Sequence, residues 1–345
     1  MPNITSRFVI ARNGVDYSTL LAVDGGNPTI RMTSTAEVKM VLEGTFLQNP
    51  QLNLVRDRLK PFYSIGGVES QMGEFLITDA ALNTVDGVRK ELEITAYDLT
   101  YLAKRSKIED RILIPAGTLY TAAIGAQIIA SGITNFLLEP NTAVITENRE
   151  DWDPGTSRLT IINDLLAEIN YNSLWMDNSG LIRGTPYRQA TAENITIEYR
   201  NDAYSLLLPE DSSTTDVFDR PNVFIAVVEN PEKSANMRAV AVNDDPSVDF
   251  STVNIGRVAE YEKLDNIASQ AELQAYVNNK KFKSLLATQE ITFSTAANPA
   301  HSAFDVIGLY KDDLTGIYEE TEWSMSFQPG EAMTHRAKKV VYMLG

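Results

Sequence analysis

Between Ser157 and Arg183 the apolar positions change period. Leu159, Ile162, Leu166 and Ile169 recur at three and four residues with Asn163, Asp164 and Glu168 opposite, which predicts an amphipathic helix. Asp153-Pro154-Gly155 breaks the chain before it, and Thr156 or Ser157 offers the oxygen that caps its first free amides. Asn170 is placed to stop the helix. Leu174 and Met176 then alternate with Ser173, Trp175 and Asp177, a strand of period two that ends at the turn Asn178-Ser179-Gly180. One helix lying on one hairpin is the simplest packing for this unit.

The flanks carry a different texture. Across residues 1–103, Phe8, Ile10, Val41, Phe46, Phe75 and Ile77 lie in short extended runs, broken at Asp24-Gly25-Gly26-Asn27-Pro28, Ile65-Gly66-Gly67 and Asp86-Gly87. The clearest strand spans 88–97, with Leu92, Ile94 and Ala96 on one face. Short strands at this spacing predict a sandwich or small barrel, followed by a short helical exit from Tyr97 to Lys104. Within 104–200, Thr118 is expected to cap a helix whose apolar face is Leu119, Ala122, Ala126 and Ile129, with Gly132 ending it in a left-handed conformation. Residues 201–345 return to strand. Asn222–Val228 and Met237–Val242, separated by Asn230-Pro231, read as a hairpin or meander, and further strands are expected at 290–295, 304–310, 318–327 and 337–343. One helix is expected from Ser269 to Leu286, where Leu273, Tyr276, Val277 and Lys280 keep helical spacing, Ser269 and Glu272 form a capping box, and Lys280-Lys281-Phe282-Lys283 suits the helix dipole. The class is therefore α+β, with two β-rich regions (1–103 and 201–345) flanking an α/β insert (104–200).

Composition narrows the function classes. A chain of 345 residues, 43% hydrophobic, is too long for one ordinary core, so two or three domains are expected. Thirty Lys and Arg against 46 Asp and Glu leave a net charge of -16, which argues against a uniformly basic nucleic-acid binder. The absence of cysteine excludes disulfides, thiolate metal sites and a cysteine nucleophile. The start, Met1-Pro2-Asn3-Ile4-Thr5-Ser6-Arg7, lacks the basic and apolar pattern of a signal peptide, and apolar runs such as 124–130 are too short to span a bilayer.

The stretch Trp152-x-Pro154-Gly155-Thr156-Ser157-Arg158-Leu159, continued by Ile161-Ile162-Asn163-Asp164-Leu165-Leu166 and by Ile169-Asn170-Tyr171-x-Ser173-Leu174-Trp175-Met176-Asp177, resembles the phage tail and baseplate hub family. The resemblance extends more loosely to Tyr97-Asp98-Leu99-Thr100-Tyr101-Leu102, Glu109-Asp110-Arg111, Asn298-Pro299-Ala300-His301 and Phe304-Asp305-Val306-Ile307. It implies two tube-type β-barrel domains per chain and a homotrimer whose six barrels make a pseudo-sixfold ring. Such a ring would seat on a sixfold tail tube while its threefold face takes a trimeric spike. The implied partners are the tail tube, tape-measure, spike and other baseplate proteins. The implied place is the tail tip of a virion or phage-tail-like particle assembled in the bacterial cytoplasm, with a channel for DNA or tape measure.

Candidate chemistry is sparse. His301 and His335 are the only histidines, no Gly-x-Ser-x-Gly accompanies them, and both read as structural. Carboxylates cluster at Glu109-Asp110, at Asp151 with Asp153, and at Glu319-Glu320 with Glu322. Glu320 and Glu322 are expected on the solvated face of a strand, with Trp323 and Met325 on the other. Asp151-x-Asp153 begins like a calcium loop, but Pro154 and Gly155 break the spacing. Gly66-Gly67 lacks the helix and lysine of a phosphate loop. No catalytic, cofactor-binding or metal-binding residue is assigned, and no enzymatic activity is expected. Lys104, Arg105 and Lys107, with Arg111 nearby, form the densest positive patch and are expected to face partner proteins, leaving a channel wall that is acidic or neutral. The alternative is a carbohydrate-active enzyme or carbohydrate-binding tail protein using surface carboxylates and aromatics.

Overall fold

The computed structural model describes residues 3–202, 206–214, 220–228, 237–264, 270–285, 290–311 and 314–339. Eight antiparallel strands come first: β1 (Ile4–Arg12), β2 (Val15–Leu20), β3 (Thr29–Thr33), β4 (Met40–Leu47), β5 (Asp57–Ile65), β6 (Val68–Gln71), β7 (Phe75–Val85) and β8 (Arg89–Asp98). Their tight connections use left-handed residue pairs, Asn13-Gly14, Gly66-Gly67 and Asp86-Gly87, as two-residue hairpins require. Gly66-Gly67 is thus a turn. Leu92, Ile94 and Ala96 are buried on β8, as their alternation predicts.

The middle of the chain follows the helix-and-hairpin expectation. Helices α1 (Tyr101–Arg105), α2 (Tyr120–Ala130) and α3 (Arg158–Glu168) accompany a small sheet ordered β10 (Trp175–Met176), β11 (Ile182–Gly184), β9 (Phe136–Leu138). Ser157 caps α3 by accepting from the Thr160 amide, and Asn170 takes a left-handed conformation just past its end (φ 59°). Leu159, Ile162 and Leu166 are buried, joined by Ile161 and Leu165. The polar face is also used, since Asn163 Oδ1 accepts from the Leu174 amide at 2.8 Å and fastens the hairpin to the helix.

The face expected for α2 is wrong. Tyr120, Ala123, Ile124, Gln127 and Ile128 are buried, whereas Leu119 and Ile129 are exposed. The segment is apolar nearly all round, so spacing alone does not fix its orientation, and packing against α3 decides it. Gly132 does end the helix with φ 89°.

The last region contributes β12 (Ile197–Arg200), β13 (Leu207–Thr214), β14 (Val223–Val228), β15 (Met237–Val242), α4 (Thr252–Ile255), β16 (Ala259–Leu264), α5 (Gln270–Leu285), β17 (Glu290–Ala296), β18 (Val306–Tyr310), β19 (Gly316–Ser326) and β20 (Ala332–Lys339). β14 and β15 pair antiparallel, as the hairpin reading expects, and β16 adds to β14 in parallel. Leu273 and Val277 of α5 are buried in the core that this small sheet supplies. The Asn230-Pro231 turn, the Ser269 cap and the end of the last strand fall outside the described residues.

Among the described residues the two β-rich regions are joined into one fourteen-stranded sheet, because β19 pairs with β3 from Glu322 opposite Thr33 to Ser326 opposite Thr29. One hydrophobic core unites Phe8, Tyr63 and Phe75 of the first region with Ile124, Leu159 and Leu166 of the insert, Trp323 of β19 and Phe327 just after it. Gly73 packs closely against Met176 of the insert. Its φ of 104° excludes most side chains, and a Cβ there would lie 2.8 Å from the methyl carbon of Met176. No helix among the described residues is long and apolar enough to cross a membrane.

Asp98 and Lys39 of the first region are ionisable groups held in its interior. Asp98 is fully buried and satisfied, accepting from the Met40 amide at 2.8 Å and from the Thr100 amide at 2.8 Å, so this residue of the hub-like stretch ties β8 to β4 and α1. Lys39, only 4% exposed, donates to the Ala36 carbonyl, and burial lowers its ammonium group to about 8. The folded value is depressed, so the unfolded chain binds more protons between about 8 and the ordinary 10.5, and stability should rise with pH across that window. Lys39→Met is expected to flatten this rise in a series of thermal melts. Parallel wild-type and Lys39→Met curves from pH 8 to 10.5 would refute it.

Candidate functional site

Three segments of the chain converge at the tip of the β10–β11 hairpin. The Asn178 side-chain amide donates to the carbonyls of His301 (2.9 Å) and Pro299 (3.2 Å), while the Asn178 backbone carbonyl accepts from the Gly73 amide at 2.9 Å. Trp323 on β19 donates its indole N–H to the Ser302 carbonyl at 2.9 Å. The separate hub-like stretches thus meet physically: Trp175 of the central unit packs edge-on against Phe304, ring centroids 6.1 Å apart. Phe304 holds a left-handed backbone (φ 62°), unusual for a bulky residue, in the loop this packing secures.

Beside this junction lies a cavity of about 620 Å³, lined among others by Trp175, Tyr187, Phe304, Asp305, Glu319 and Lys283. Its carboxylates are engaged within the protein. Glu319 accepts from the Tyr187 hydroxyl at 2.9 Å, and Asp305 accepts from the Thr196 hydroxyl at 3.0 Å and the Ser302 amide at 2.6 Å. Burial raises both carboxyl groups above their ordinary range.

Behind the cavity sits a cluster that the strand alternation does not anticipate. Glu320 is 2% exposed and shares the buried face of β19 with Tyr318, Trp323 and Met325. The expectation that it lies with Glu322 on a solvated face fails because the register with β20 slips between them: Glu320 faces Ala337 and Glu322 faces Arg336, leaving Thr321 as the extra residue of a bulge. A bulge reverses the alternation, turning Glu320 inward. Its two carboxylate oxygens then lie 2.7 Å from His301 Nδ1 and 2.7 Å from His335 Nδ1. The Tyr199 hydroxyl is 2.6 Å from His301 Nε2, and Thr295 Oγ1 is 2.9 Å from His335 Nε2. Phe293 stacks on His335 with centroids 4.7 Å apart. Burial holds His301 down to about 4, lowers His335, and pushes Glu320 up to about 8. The meeting of both histidines at Glu320 needs the bulge and has no local signal in the sequence.

The remaining candidates are dispersed. Asp151 pairs with Arg149 and Asp153 with Arg111, so these carboxylates point to separate arginines. Lys104 lies 2.9 Å from Glu37 in an exposed ion pair of the kind worth little.

No family model and no curated protein sequence matches the chain. Solved structures do. A tail protein from Neisseria meningitidis MC58 aligns over 97% of both chains with a TM-score of 0.69 at 12% identity. The 43 kDa tail protein of prophage MuSo2 from Shewanella oneidensis aligns over 97% of this chain and 98% of its own, with a TM-score of 0.68 at 10% identity. An E. coli component of the type VI secretion system, described as structurally similar to the T4 bacteriophage tail proteins gp27 and gp5, aligns over 97% of this chain and 77% of its own, with a TM-score of 0.56 at 10% identity. Over nearly its whole length, this chain has the fold of phage tail proteins.

Proposed function

We propose that the protein is a non-enzymatic hub of a phage tail or phage-tail-like particle, located at the tail tip. In this reading three copies form a pseudo-sixfold ring that joins the tail tube to the spike and baseplate and leaves a channel for DNA or tape measure. Residues 1–103 and 201–345 act as the two tube-type β domains, and residues 104–200 form the insert between them. The observation that carries the reading is the likeness to two tail proteins across 97% of this chain, which takes in both β-rich regions and the insert together. The engagement of Asp305 and Glu319 by their own neighbours supports a structural role over acid–base chemistry.

The test is native mass spectrometry followed by imaging of the purified chain, alone and with the tail tube protein of the same particle. The expected species has three times the 38.2 kDa chain mass and shows a ring with a central opening. A monomer that binds glycans through the Trp175–Phe304 cavity would instead support the carbohydrate-binding alternative. Charge mapped onto the assembled ring supplies a second check. The channel wall should be neutral or acidic on balance, since a basic wall would retain passing polyanions, and a predominantly basic wall would defeat the proposed passage.

A further inference from the structure

The cluster of His301, Glu320 and His335 has no part in the assembly reading. Its side chains are fully buried and come from three separate places: the loop after β17, β19 and β20. Their hydrogen-bond partners constrain their protons. Thr295 Oγ1 lies 2.8 Å from the Ala296 carbonyl and 2.9 Å from His335 Nε2, so a hydroxyl hydrogen directed to the carbonyl leaves a lone pair for Nε2. In that arrangement the proton of a neutral His335 sits on Nε2, and its bare Nδ1 is aimed at a Glu320 oxygen 2.7 Å away. A bare imidazole nitrogen facing a carboxylate oxygen in a dry interior is bridged either by a proton or by a metal ion.

The donor atoms of all three side chains lie within 4.8 Å of one another, near enough to converge on one metal ion by small side-chain shifts. Each imidazole is steadied at its far nitrogen by a hydroxyl group, Tyr199 for His301 and Thr295 for His335, the kind of outer contact that orients metal-bound histidines. Two imidazoles and one carboxylate suit zinc or a similar late first-row dication, whereas calcium and magnesium favour all-oxygen sites. Asp305, whose Oδ2 is 3.8 Å from His301 Nδ1, supplies a second negative charge beside the first and would balance a dication.

We propose that His301, Glu320 and His335 form a structural site for a zinc-class divalent metal ion that cross-links the 298–305 loop to β19 and β20. Tetrahedral bonds of about 2.0–2.1 Å place neighbouring donors roughly 3.3 Å apart, so loading draws both imidazoles back from their present 2.7 Å contacts with Glu320.

The test uses the full chain without a histidine tag, whose only two histidines are both in this cluster. Metal analysis after gel filtration should find about one zinc per chain. A chelator should lower the thermal midpoint and added zinc should restore it. Cobalt(II) added to the chelated protein should give the visible absorption of a low-symmetry nitrogen-and-oxygen site, and His335→Gln should abolish both the cobalt spectrum and the zinc response. If that variant does not fold, the wild-type cobalt spectrum and chelator shift decide alone. A metal-free protein whose midpoint ignores zinc and chelator, and which takes up no cobalt, would overturn the proposal and assign the bridging charge to a proton.

Discussion

Replacing Leu166 with aspartate should destabilise the protein by about 3–5 kcal/mol, the combined cost of a lost core side chain and an unpaired buried charge. Leu166 is fully buried on α3, and its Cδ2 lies so close to Gly184 of β11 that a Cβ there would meet it at 3.4 Å. An aspartate in that space finds neither water nor a cation among the apolar groups packed around it. Asp164, two positions earlier on the same helix, provides the control: it is exposed and accepts one hydrogen bond, from the Trp152 indole at 2.8 Å. Asp164→Ala should therefore cost only about 1 kcal/mol. Thermal midpoints of the two variants give the comparison, and equal shifts would mean that α3 presents a different face to the core.

The contrast between those positions shows which parts of the fold are legible in the sequence. Helix α3 has a local grammar: a breaker, a serine cap, an apolar stripe and an asparagine stop all fall within residues 153–170, and each works through neighbours a few positions away. Helix α2 lacks a polar face to set against its apolar one, so its length and glycine stop can be read but its orientation cannot. The joining of β3 to β19 is less accessible still, because nearly three hundred residues separate Met32 from its register partner Trp323.

Glu320 marks the same limit at the candidate site. The acidic and apolar residues of β19 alternate in a way that reads as one wet face and one dry face, until a single extra residue, Thr321, reverses the phase. Nothing in the composition of Glu319-Glu320-Thr321-Glu322 announces the bulge. It is fixed by two pairings with remote segments, the Glu320 amide donating to the Asp305 carbonyl at 2.9 Å and the Ser34 amide to the Thr321 carbonyl at 2.8 Å. The stretches that resemble tail hubs, by contrast, point in sequence to the place where the hairpin meets the 298–305 loop, because their side chains make that contact.

Arg149→Met should cost about 3–5 kcal/mol, and the loss should depend on pH. Arg149 lies just before the Trp152-Asp153-Pro154-Gly155 stretch, with its side chain 7% exposed. It holds Glu168 through two parallel hydrogen bonds of 2.7 and 3.0 Å, reaches Asp151 through Nε, and rests 5.0 Å above the Trp152 ring. Burial opposes the guanidinium charge, but its hydrogen bonds to the Glu168 and Asp151 carboxylates outweigh that and push Arg149 upward. Glu168 is already raised by burial, against the lowering effect of Arg149, so removing the arginine must raise it further. A carboxyl group whose folded value lies above the unfolded 4.5 gives stability that is lost as pH rises through the folded value. The deficit of Arg149→Met relative to wild type should consequently be smaller near pH 5 than near pH 8. Adding Glu168→Gln to the variant should recover much of the loss at pH 8, because the amide keeps an acceptor for the Tyr120 hydroxyl, now 2.7 Å from Glu168, without stranding a charge. A deficit that stays constant with pH and is not relieved by Glu168→Gln would show that Arg149 acts through its packing on Trp152 and not through the ion pair.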